Sequence, residues 1–66
     1  MNLKAFYNRT VYVTTDTGLT FLGKVSDYFY SDNNENGEES IVVDTLNGSA
    51  IEFYEKDIAS IGYLDG

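Results

Sequence analysis

Cysteine, histidine, proline and tryptophan are all absent from these 66 residues, and only four side chains are basic. Without cysteine there is no disulfide, no thiolate zinc site and no iron–sulfur cluster. Without histidine, the commonest general base and transition-metal ligand is gone. Without proline, no polyproline recognition motif exists in the chain. No apolar run approaches the ~20 residues of a membrane span, and the opening MNLKAFYNRT has no signal-peptide apolar core. The expectation is a cytoplasmic protein with no membrane segment, no cofactor and no metal.

What is present is acidic. Eleven carboxylates oppose four bases, for a formal net charge of -7. Lys4, Arg9 and Lys24 all precede Val25 with only Asp16 against them, whereas ten acids and one base, Lys56, lie from Val25 onward. Nucleic-acid affinity depends heavily on cations meeting phosphates. The overall charge disfavours it, and Lys4, Arg9 and Lys24 are the candidate contacts, provided they converge on one face. A chain this short, residues 1–66, makes one domain that buries only about 60% of its unfolded surface. With disulfides and thiolate metal sites excluded, a hard-ion site or self-association is what remains if a staple is needed.

Strand signals dominate. Thr10 to Thr15 alternates, with Val11 and Val13 on one face and Thr10, Tyr12 and Thr14 on the other. Asp16-Thr17-Gly18 supplies a turn. Leu19 to Tyr30 reads as a long strand with Phe21, Gly23 and Val25 inward, and Gly23 marks a sharp bend or a close backbone approach. Ser40 to Thr45 gives a third strand with Ile41 and Val43 inward. Asn47-Gly48 predicts a tight primed hairpin turn. Ala50 to Tyr54 follows with Ile51 and Phe53 inward, Glu55-Lys56-Asp57 is one helical turn or a tight connection, and Ile58 to Leu64 is the last strand. Asn2 to Tyr7 predicts a brief helix, with Asn2 as its N-cap and Leu3 and Phe6 on one face. The fold class is all-β: a strongly bent, five-stranded, SH3-like or Sm-like small barrel with a short N-terminal helix.

The run from Val11 to Val25, V-x-V-x-x-D-x-G-x-x-F-x-G-K-V, resembles the first half of the Sm-like fold, and I-E-F-Y-E-K-D-I-A-S-I (Ile51 to Ile61) resembles its second half. G-K-V-x-x-Y, G-E-E-S-I and I-E-F-Y-E-x-x-I-x-S-I look like a group of small bacterial Sm-like proteins. The resemblance implies a barrel that pairs its open edges into rings. In RNA-binding members an aspartate and an asparagine follow the bent strand, and a basic signature precedes the last strand. Asp27 stands at the aspartate's place, the asparagine has no clear counterpart, and Tyr54-Glu55-Lys56-Asp57 occupies the place of the basic signature. What carries over is the barrel and its edge pairing.

Three features compete as functional sites. SDNNENGEES (31–40) contains D-x-N-x-N-G, the opening of an EF-hand loop. Such a loop needs a bidentate glutamate at position 12 and flanking helices. Counting from Asp32, position 12 is Val43, and the flanks are strands, so a mobile, solvated hairpin loop projecting four carboxylates is expected. Tyr28, Phe29 and Tyr30 form an aromatic cluster whose alternate members should pack into the core. Tyr12, Leu22, Val42, Tyr54 and Tyr63 are the candidate interaction surface, and Leu22 facing outward beside Tyr12 and Val42 would make an apolar patch. Catalysis is not expected: the acids lie on turns and outward strand positions, and so small a domain has little interior room for a ligand cavity of ~300 Å³. The function expected is a protein-interaction or self-assembly module, with a homo-oligomer or another protein as partner. The alternative is an RNA- or DNA-associated regulator. Millimolar calcium is expected to leave the amide resonances of Asp32 to Glu39 unmoved; saturable shifts there would establish a metal site.

Overall fold

A computed structural model describes residues 1–64. Among them, one antiparallel sheet runs β4-β3-β2-β1-β5, from β1 (Thr10–Thr15), β2 (Thr20–Phe29), β3 (Ser40–Thr45), β4 (Ala50–Tyr54) and β5 (Ile58–Tyr63). Three one-turn 3-10 helices complete the described secondary structure, at Leu3–Phe6, Ser31–Asn33 and Glu55–Asp57. No helix among the described residues is long and apolar enough to cross a membrane.

The alternating pattern decides which side chains point inward. Val11, Val13, Val25, Ile41 and Val43 are fully buried, and Phe53 and Ile58 nearly so. A flat five-stranded sheet could not bury them, because one face would stay wet. The sheet therefore curls. Phe21 on β2 and Phe53 on β4 have ring centroids 5.4 Å apart, although two strand spacings would separate them by roughly 9.5 Å. Leu3, fully buried, and Phe6 pack against the same core from the N-terminal turn.

Local devices permit the curl. Gly23 faces inward, and a Cβ there would overlap the Asp44 carbonyl oxygen, so this is the close backbone approach its place in the strand predicts. The register shifts between Val25 and Asp27 against β3, leaving Ser26 as an extra residue. Between Thr14 and Thr15 the partner changes from Ser60 to Ile58, leaving Ala59 unopposed. Such bulges bend a strand and increase its twist.

Two expectations need correction. The brief N-terminal helix forms, as a 3-10 turn, but Asn2 makes no side-chain capping bond. Asn8 then turns the chain into β1 at φ 65, a left-handed conformation that asparagine tolerates better than most residues. The Asn47-Gly48 turn is not primed: only Gly48, at φ 92, is left-handed there. Thr45 N–H donates to the Ser49 carbonyl at 2.7 Å and Gly48 N–H to that of Thr45 at 3.0 Å. The loop thus has three residues, with glycine at its left-handed end.

Gly23→Ala is expected to cost about 3 kcal/mol or more, since backbone must move to admit the methyl group. Gly37→Ala, at φ 72 in open space, should cost only about 1 kcal/mol. Urea unfolding of the two variants measures the difference.

Candidate functional site

Two kinds of surface stand out, the sheet's edges and its outer face. β4 and β5 are the outermost strands. In an antiparallel ladder, alternate residues turn their main-chain groups to opposite sides. Thr45 bonds Ser49, and Glu55 N–H donates to the Glu39 carbonyl at 3.0 Å. That phase directs Ile51 and Phe53 toward β3 and turns the N–H and C=O groups of Ala50, Glu52 and Tyr54 outward. On β5, Leu64 N–H donates to the Thr10 carbonyl at 3.0 Å. Gly62 and Ser60 therefore face β1, and the main-chain groups of Ile61 and Tyr63 point away from the sheet.

The candidate interaction residues do not form one patch. Tyr12 lies directly opposite Leu22 on the outer face. Val42 is also on the outer side, opposite Asp27 and Glu52, and the Lys24–Asp44 pair separates it from Leu22. Tyr54, opposite Ser40, is on the far edge. Tyr63 is on the other edge, where its ring packs 4.8 Å from that of Phe6 and its hydroxyl donates to the Ala5 carbonyl at 3.2 Å. The cations are likewise dispersed. Lys4 Nζ lies 5.5 Å from the Tyr30 ring centroid and 3.3 Å from its hydroxyl, Arg9 stacks 4.3 Å over Tyr63, and Lys24 is on the outer face opposite Thr10 and Asp44.

The acidic loop is folded down rather than projected. Asn34 Nδ2 donates to the Glu38 carbonyl at 2.7 Å and to Ser40 Oγ at 3.0 Å. Ser40, fully buried, donates in turn to Glu52 Oε2 at 2.7 Å. Glu38 Oε1 accepts the Lys56 N–H at 2.8 Å, and Glu39 Oε2 accepts the Tyr28 hydroxyl at 2.6 Å. Of the four carboxylates, Asp32 and Glu35 are exposed, and Glu38 and Glu39 are half-buried. No described cluster of three acidic residues is arranged to hold a metal ion. Sequence reading missed Ser40 as the hub of this network, because its role depends on which residues lie across the sheet.

Tyr28 packs against the core, Phe29 is half-buried and Tyr30 is exposed. Tyr28 and Tyr30 meet edge to face at 5.3 Å. With Lys4, Tyr7 and Asp27 they line an open groove of about 430 Å³. A second open groove, about 520 Å³, runs between the acidic loop and Tyr54, Lys56 and Asp57. Ligand-sized space therefore exists on the surface. The hydrogen bond to Glu39, followed by burial, pushes the Tyr28 phenol up from 10.0 to about 12. Comparison with family models, with curated proteins and with solved structures gives no match to this chain.

The raised phenol pKa makes the Tyr28–Glu39 bond favour folding fully below pH ~10, and this contribution is lost as pH rises from there through about 12. Glu39→Gln is expected to return Tyr28 toward 10, read from the tyrosine Cζ resonances during an alkaline titration. No change in that titration would show that Glu39 is not the cause.

Proposed function

We propose that the chain is a non-enzymatic small barrel of the Sm-like type that acts as a self-assembly or protein-interaction module. The observation that carries this reading is the pair of outermost strands, each with main-chain groups aimed outward. β4 of one copy offers Ala50, Glu52 and Tyr54; β5 of the next offers Ile61 and Tyr63. Unpaired edges are templates for another strand. The edge side chains suit the same role. Directly opposed residues share a face of the sheet, so pairing sets Ile61 and Tyr63 of one copy opposite Glu52 and one of its outward-facing neighbours, Ala50 or Tyr54, of the next.

The sequence pattern over Val11 to Val25 and Ile51 to Ile61 supports the same type. A curled sheet with this strand order and a capping N-terminal turn is compatible with it. The nucleic-acid alternative draws less support, since the net charge is -7, Lys4 and Arg9 lie against Tyr30 and Tyr63, and Lys24 is apart from both on the outer face.

Native mass spectrometry over a concentration series is expected to show oligomers. Ile61→Pro removes an outward-pointing N–H without removing a bond to β1, so it should give a folded monomer with respect to edge pairing. A wild-type chain that stays strictly monomeric at high concentration overturns the proposal.

A further inference from the structure

The outer face of β1, β2 and β3 carries a cross-strand row that edge pairing leaves unused. Tyr12 faces Leu22 on one side and Gly62 on the other. Leu46 N–H donates to the Leu22 carbonyl at 3.1 Å, which extends the row to Gly62–Tyr12–Leu22–Leu46. The Tyr12 ring leans over Gly62, where a Cβ would press into it. Leu22 is 39% exposed and Leu46, at 76%, is the most exposed large apolar side chain described.

Polar rows flank this apolar one. On one side Thr14 and Thr20 bond each other through their hydroxyls at 3.0 Å. On the other side run Thr10, Lys24, Asp44 and Ala50, each directly opposite the next. Lys24 and Asp44 are cross-strand neighbours of opposite sign, yet among the described residues neither is in an ion pair within 4 Å. Both are exposed.

We infer that this face docks a second copy of the chain back to back, about a two-fold axis that runs along the strands between β2 and β3. Such a rotation lays β2 of one copy over β3 of the other and keeps each row on itself. Leu22 then meets Leu46 of the partner subunit, and Lys24 meets Asp44 of the partner subunit. An axis along β2 itself would instead set Lys24 against its own copy, so the charges select the first arrangement. An isologous contact of this kind closes after two copies. Two strands on each side make an area below the ~800 Å² per partner of a standard interface, so the dimer forms with rising concentration. It uses neither edge, and edge pairing and back-to-back docking are compatible in one assembly.

Carbodiimide coupling tests the contact, since it joins the Asp44 carboxylate to the Lys24 amine as an amide with loss of water to the reagent. In an equal mixture of ¹⁵N-labelled and unlabelled chains, coupling within one chain gives only single-isotope peptides, and of the Lys24–Asp44 peptides joined between copies about half should carry one labelled and one unlabelled strand, as random pairing of two equal pools requires. The same yield is expected from Ile61→Pro chains, which separates this contact from edge pairing. Lys24→Asp and Asp44→Lys should each reduce dimer in sedimentation equilibrium about ten-fold, and the double exchange should restore it. Cross-links confined to single-isotope peptides, or a double exchange that fails to restore the dimer, would overturn the inference.

Discussion

One sheet has to serve as both walls of the core. With so few residues there is no second layer, and the inward side chains of β1 to β4 exclude water only if the sheet curls around them. The contact between Phe21 and Phe53, on strands with another strand between them, is the direct expression of that curl. Everything else follows from making it possible. Gly23 lets the backbone of β3 approach where a side chain would block it. The extra residues Ser26 and Ala59 bend β2 and β5, and Leu3 adds a fully buried side chain to the core from the N-terminal turn.

The same curl fixes what the surface can do. Curling brings β4 and β5 to the outside of the strand order without pairing them to each other. A sheet that cannot satisfy its own edges must leave them to water, to side chains or to another chain. Here the acidic loop is drawn in by Asn34, Glu38 and Glu39 and lies against the far end of β4. In the middle of each edge the main-chain groups of Glu52 and Ile61 point away from the sheet. The outer face, relieved of any packing duty, carries a short apolar row between polar ones, with uncommitted opposite charges beside it.

Much of this architecture was legible in the sequence, and the reason is the period of two. β-branched residues alternating at Val11 and Val13, and at Ile41 and Val43, identify both strand and inward face with no further information. Gly23 was legible because an inward strand position without a side chain leaves a gap that a bend or neighbouring backbone must fill. The failures share a different cause. Whether Asn47-Gly48 closes a two- or three-residue loop depends on which carbonyl Thr45 bonds, and no dipeptide encodes that. Leu22 and Val42 share the outer face, yet the bulge at Ser26 and the intervening Lys24–Asp44 pair keep them apart. The acidic loop reads as solvated because its anchors, Ser40 and Glu52, are anchors only across the sheet. Leu46, in a turn of polar residues, gave no signal of the partner that the Leu22 carbonyl supplies.

The proposed assembly works through the outward-facing main-chain groups of β4 and β5. Amide hydrogen exchange, compared residue by residue between dilute and concentrated protein, reads those groups one by one. Ala50, Glu52 and Tyr54 on β4, and Ile61 and Tyr63 on β5, are expected to exchange quickly when dilute and to become protected together as concentration rises. Their neighbours Ile51, Phe53 and Gly62, already bonded within the sheet, should stay slow throughout. Equally fast exchange of the outward-facing amides at every concentration would contradict it.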